Sequence, residues 1–277
     1  MSSAAKTERT TFVVVGSLAL VFLLAPMLIV VLASLDSGQF FTFPPTEISS
    51  HWFSEIVDDE TWRASFGLTL TIAALTAVAS SIIGGLAGIA VARVSPRVRR
   101  LMYPLLIAPL IVPVIVLAIS FYTLALELHL VGTLFAFVMA NTILTAPLVA
   151  LLVMGTCLRL DHRLELASLS CGASPTRTLI RITFPLVGPT AVAGGALAFL
   201  LVLDEVVMSL FLVAPGKTPL AVKLFLQAQT GTAPIVMAAS SILIFTSLVV
   251  LAAVTALRSV LARRTDEDLA PDVTAAV

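Results

Sequence analysis

Two adjacent carboxylates, Asp204 and Glu205, interrupt the apolar run LAFLLVLDEVVMSLFLV at 197–213. An acidic side chain at the centre of a bilayer costs about 2.5–3.5 kcal/mol on an insertion scale, so it faces water, a bundle interior or a partner. Such a group could pair with a cationic amine or exchange a proton. On a continuous helix neighbouring side chains point about 100° apart, so one of the two lines a pathway or a subunit interface. The alternative is a structural pair satisfied by a polar group on another subunit.

The second candidate is Gly216, Lys217 and Thr218, the end of a phosphate-binding loop pattern. That loop needs a glycine five positions before Gly216, and Phe211 stands there. The sequence has no HExxH, no GxSxG and no paired-cysteine zinc spacing, so no catalytic residue and no metal site is assigned. Cys157 and Cys171 read as small apolar residues, not as a disulfide framework. Glu127 and His129 read as interfacial residues.

The third candidate is a polar island, RLDHRLELASLSCGASPTRTLIRITFP at 159–185, lying between long hydrophobic runs. Leu164 to Cys171 can form two helical turns, and Gly172 follows where a left-handed cap is easiest without a Cβ. Ser174 and Pro175 supply an N-cap and a first helical residue for a second short helix through Arg181. Pro185 and Pro189 are expected to end this bent pair before the next span. A topology signal needs a few arginines, not so long a stretch of mixed apolar and polar helix. Leu164, Ala167, Leu169, Cys171, Leu179, Ile180 and Phe184 favour a protein-covered knob over a solvated connector.

The elements that must hold these residues are set by composition. With 59% hydrophobic residues, 12% charged residues and a mean hydropathy of +1.09, the 277-residue chain is an integral membrane protein. Six runs are long enough to span: 12–35, 68–92, 101–126, 134–158, 191–213 and 234–257. Each must be a helix, because lipid offers the backbone no hydrogen bonds. The first exceeds the usual signal-peptide core and is kept as a retained span. Of 16 Lys and Arg residues, 13 fall on the side holding the termini, the 93–100 loop and the island, which the positive-inside rule makes cytoplasmic.

The first outer loop carries FTFPP at 41–45, HWF at 51–53 and Trp62, which suit a short helix at headgroup level. A docking surface for an outer partner is the other reading. Pro104, Pro109 and Pro113 in the third span, and Pro147 in the fourth, invite kinks. Ser80, Ser81, Gly84, Gly85, Gly88 and Ala92 let another helix approach the second span closely.

The island resembles the cytoplasmic EAA loop of binding-protein-dependent ABC importer permeases, a Glu-Ala-Ala triplet followed by a glycine and an apolar-x-apolar-Pro ending. Gly172, Ile182, Phe184 and Pro185 match in type and spacing, while the triplet falls on Leu166, Ala167 and Ser168 with Glu165 one place early. FPP, the Trp52–Phe53 pair, Trp62 and LDEVVMSLF at 203–211 are similar to the smaller permease subunit of spermidine/putrescine-type importers.

The resemblance implies an all-α, six-helix permease of the type I importer fold, with residues 12–257 in the membrane domain, 159–189 as coupling loop, and 1–11 and 258–277 as cytoplasmic ends. It implies a place in a bacterial cytoplasmic membrane and partners of four kinds: an ATPase dimer, a second homologous permease, an extracytoplasmic solute-binding protein and lipid. Nucleic acid is not among them. ATP and magnesium would bind the ATPase, leaving this chain without a cofactor. Coupling would fall to Glu165, Leu166, Ala167, Ser168, Gly172, Ala173, Ser174, Pro175, Arg177 and Pro185, and Asp204 and Glu205 would be pathway carboxylates for a polyamine or related amine. The competing reading is a self-contained carrier in which Asp204 or Glu205 exchanges a proton for solute.

Overall fold

The computed structural model describes residues 3–38, 45, 47–231 and 233–269, with side chains described except at 3–11, 162, 233 and 257–269. Residues 41–44 of the FTFPP stretch lie outside the described residues. Among the described residues all regular elements are helices, as the lipid constraint requires. The chain divides into two compact units, residues through Arg63 with Leu224–Thr246, and Ala64–Lys223 with the residues from Ser247 on.

The first unit contains α1 (Ser3–Ala33) and α2 (His51–Asp58). Residues 12–24 of α1 are exposed and, apart from Gly16 and Ser17, carry apolar side chains, the composition of a lipid-facing helix. Helix α2 is the short helix expected from HWF. Trp52 donates its indole N–H to the backbone oxygen of Asp36 at 3.0 Å, and Asp36 pairs with Ile48 in an isolated bridge. Trp62 is not a headgroup anchor as expected: it lies at the start of α3 (Glu60–Arg93) and is 3% exposed. An indole so placed contributes packing, not contact with lipid headgroups.

The second unit is built on α3, α6 (Leu134–Arg159) and α9 (Phe184–Leu203). A Cβ at Gly84 would meet Ala146 O and Val149 Cβ, and one at Gly88 would meet Ala150 O, Met154 N and Val153 Cβ. On the neighbouring side a Cβ at Gly195 would meet Ser81 Oγ and Ala77 O. The expected close approach is therefore real, and backbone touches backbone along the seam. Ser80 and Thr145 bond hydroxyl to hydroxyl at 2.7 Å, and Ser81 donates to Ala191 O at 3.1 Å. Ile89, Val149, Val153, Val187 and Ala198 close the core below.

The third span is not one helix. Helices α4 (Pro96–Ile111) and α5 (Val114–Glu127) meet at 91° across Val112 and Pro113. Pro109 and Pro113 are four apart, so two turns on one face each lose a backbone bond, and Val112 is pushed to ψ 133 before the proline. Pro104 and Pro109 by themselves are absorbed within α4.

The fifth span is also displaced. Helix α8 (Pro175–Thr178), a π-helical segment (Leu179–Thr183) and α9 run on as one span of 29 residues from Pro175 to Leu203. Pro185 and Pro189 do not end the island's second helix. The wide turn, in which Phe184 N–H reaches Leu179 O, relaxes the helix just where Pro185 removes a donor, and the chain continues. The span ends at Asp204, and α10 (Val207–Leu212) follows as a separate piece.

The seam makes a stability test. Gly88→Val should destabilise the protein by about 1–3 kcal/mol through overpacking against immobile backbone. Gly67→Ala, in the same helix with nothing within 4 Å of its added Cβ, should be neutral or slightly stabilising. Thermal unfolding of both variants in detergent checks this; equal midpoints would mean that the seam is not close-packed.

Candidate functional site

The polar island folds as a bent pair of helices. Asp161 caps α7 (His162–Ser170) by accepting from Arg163 N–H at 2.9 Å. At the other end Gly172 has φ 83, its N–H reaches Leu169 O at 3.0 Å, and Ala173 N–H reaches Ser168 O at 3.1 Å. This doubly bonded left-handed stop is a Schellman motif. No atom lies within 4 Å of a Cβ built on Gly172, so backbone angle and not space dictates the glycine. Ser174 then accepts from Arg177 N–H at 3.3 Å, with Pro175 at the first helical position.

The register of α7 assigns its residues to opposite faces. Glu165 and Ser168, three apart, turn inward. Ser168 and Thr178 share a hydroxyl hydrogen bond of 2.9 Å that ties α7 to α8. Glu165 Oε1 lies 2.6 Å from Arg93 Nη2 and accepts from Thr183 Oγ1 at 2.7 Å, while the same Arg93 nitrogen donates to Thr183 Oγ1 at 2.7 Å. Leu164, Leu166, Ala167 and Leu169 remain exposed, as do Arg163, Arg177, Arg181 and Pro185. The one-residue offset of the acidic residue from the triplet is thus explained: at 165 the carboxylate points into the protein.

Sequence reasoning missed Arg93 and Thr183. The signal that could have found Arg93 is an arginine at the last turn of a span beside an island with two acidic residues, Asp161 and Glu165, of which Asp161 is already committed as a helix cap. A cavity of about 310 Å³ adjoins the three-residue cluster, lined by Arg93, Arg99, Asp161, Leu164, Glu165 and Ile182 among others.

Asp204 and Glu205 do not lie partway along a helix. Asp204 is the exposed C-cap of α9. Glu205 turns back onto α10, where Oε1 accepts from Met208 N–H at 2.8 Å and Oε2 from Ser209 N–H at 3.0 Å. Two of the orphan donors at that helix start are satisfied by one carboxylate, with Met208 and Ser209 buried. Helix α10 in turn packs on α5, where Phe211 meets Tyr122 at a ring separation of 6.0 Å. The Gly216–Lys217 pair forms no phosphate cradle: Lys217 N–H bonds Ala214 O at 2.9 Å and Gly216 has φ 73, a tight turn. Among the described residues no cluster of His, Cys, Asp and Glu is arranged to hold a metal ion.

This assignment separates the two acids by experiment. Glu205→Ala should cost about 2 kcal/mol of stability through loss of two charge-assisted bonds, and Glu205→Gln, with one acceptor oxygen, about half as much. Asp204→Ala should leave the melting temperature unchanged. A thermal shift as large at position 204 as at 205 would contradict it.

Known proteins resemble the chain along most of its length. Putrescine transport system permease protein PotI of Escherichia coli strain K12 is 29% identical over 239 residues, covering 84% of this chain and 85% of that one. Spermidine/putrescine transport system permease protein PotC of Haemophilus influenzae is 27% identical over 227 residues, covering 82% and 88%. Among solved structures, a chain of a bacterial ABC transporter involved in the import of the acidic polysaccharide alginate superposes with a TM-score of 0.71 at 18% identity, over 92% of this chain and 98% of that one. That likeness establishes the fold, the all-α arrangement of a type I importer permease. Residues 82–267 match the family described as binding-protein-dependent transport system inner membrane component, and the chain belongs to that family.

Proposed function

We propose that this chain is the permease subunit of an ABC importer for a polyamine such as putrescine or spermidine, and that the 162–178 knob is its docking element for a separate ATPase. The observation that carries the docking reading is the division of α7, whose Glu165 and Ser168 bond inward while Leu164, Leu166, Ala167 and Leu169, together with Arg163, face out, just ahead of the fixed bend at Gly172. Apolar side chains placed so on a cytoplasmic surface fit a protein groove. The polyamine assignment is supported by the PotI and PotC relatives, which are permeases of putrescine and spermidine/putrescine transport systems.

On this reading an extracytoplasmic binding protein delivers solute, and a second, homologous permease completes the pathway. The alginate transporter has been solved in complex with an oligosaccharide-bound periplasmic protein, at a TM-score of 0.67 to this chain. The ATPases bind ATP and magnesium, and this chain contributes no catalytic group. The rule that places basic loops inside puts both termini and the knob in the cytoplasm. Since α8 continues through the π-helical segment into α9 as one span, displacement of the knob is displacement of a membrane-spanning rod about 43 Å long at about 1.5 Å per residue. Glu165 and Ser168 hold the knob's shape; Leu166, Ala167, Ala173 and Arg177 belong to or flank its outer surface.

Glu205 is occupied as a helix cap, which leaves Asp204, exposed beyond the end of α9, as the carboxylate available to a cationic amine. The self-contained carrier reading has no support, and family membership supplies the binding-protein-dependent alternative.

Two experiments check the proposal. Gly172→Leu forces a side chain into left-handed backbone at a cost of about 1–2 kcal/mol, so ATPase co-purification should fall roughly tenfold while membrane insertion is retained. Undiminished co-purification would remove the coupling assignment. Asp204→Asn should raise KM for putrescine about fivefold with normal assembly, as loss of a weak charge contact predicts; unchanged uptake would take Asp204 off the pathway.

A further inference from the structure

The cluster of Arg93, Glu165 and Thr183 brings three elements to one point: α3 and α9 also meet along the glycine seam, whereas α7 lies outside that seam. Arg93 is the last residue of α3, Glu165 lies on α7, and Thr183 closes the π-helical segment leading into α9. Each pair of the three is within 2.7 Å, and Thr183 is 2% exposed. Helix α7 is tied to α8 through Ser168 and Thr178, while its link to α3 is the carboxylate of Glu165. The neighbouring space is a cavity of about 310 Å³, so apolar packing does not fill the interval between them. Helix α3, by contrast, is fixed to α6 through Gly84 and Gly88 and to α9 through Gly195. A stiff body is therefore attached to the knob at a polar joint.

We infer that Arg93 is a positioning residue that transmits displacement of the knob directly to the end of α3, in parallel with the route through α9 and the seam. This rests on the docking reading above. The push on α9 travels along a covalent helix. Helix α9 reaches α3 at Ser81 and Ala77 through the seam, while the end of α3 nearest the knob has a direct tie of its own, the charge-assisted bonds of one guanidinium nitrogen to Glu165 and Thr183. Removing the guanidinium leaves Thr183 bonded to Glu165, so the knob keeps its hold on the start of α9 and loses this direct tie to the end of α3.

The test uses the assembled transporter, with its ATPase, second permease and binding protein, in lipid nanodiscs. Cys157 and Cys171 are replaced by serine, and a spin label is attached at Ala90→Cys, an exposed α3 position within one turn of Arg93. The label's spectrum should change on ATP addition. Arg93→Gln should cut that change about fivefold while ATPase co-purification stays at the parent level, in the range of a typical coupling energy. The charge exchange Arg93→Glu with Glu165→Arg should restore most of it, a rescue that damage to the fold would not produce. Three outcomes overturn the inference: a full ATP response in Arg93→Gln, no rescue by the exchange, or a parent complex that binds ATPase without any response at Ala90→Cys. Failure of the parent chain to retain ATPase would overturn the docking reading as well, and is told apart by that missing subunit.

Discussion

Along the seam of α3, α6 and α9 the backbones approach so closely that Gly84, Gly88 and Gly195 have no room for a methyl group. In lipid this contact has no hydrophobic drive behind it, and it holds by dispersion between surfaces that fit and by the Ser80–Thr145 hydroxyl bond at 2.7 Å. The seam fixes the level of Arg93 at the end of α3 relative to Thr183 at the start of α9. It thereby sets where Glu165 can bind. The knob, the joint and the membrane-spanning rod all take their positions from a surface made of the smallest side chains in the bundle.

The second theme is how polar backbone is settled when helices break in an apolar setting. At Pro113 the break exposes carbonyls that have lost their donors, and the chain turns through 91°. Past the end of α9 the break leaves orphan N–H groups at the start of α10, and Glu205 supplies both of its oxygens to them. A charged residue in a membrane run is commonly read as a site for solute. Here one of two adjacent acids is a structural cap, and its neighbour is left free of that duty by a turn of the chain.

The knob was legible because its signals are local. Gly172 needs positive φ, Ser174 and Pro175 start a helix, and both demands are met within a few residues of the signal. The fate of Pro185 was not legible in this way. A proline ends a helix only when the lost bond and the ring clash cannot be absorbed, and the π-helical turn at Leu179–Thr183 absorbs them. Likewise Pro104 and Pro109 are tolerated where Pro113, with a second lost bond on the same face, is not.

From the residues alone came the membrane class, the approximate spans, the basic face, the bend at Gly172 and the small-residue face of the second span, since hydropathy, charge side and single-residue backbone preferences are all encoded locally. Which of Asp204 and Glu205 caps a helix, where the third and fifth spans break, and that Glu165 meets Arg93 across a separation of 72 positions were decided by tertiary structure. Those outcomes depend on which groups packing brings within hydrogen-bond reach, and a one-dimensional pattern carries no distance between residues so far apart.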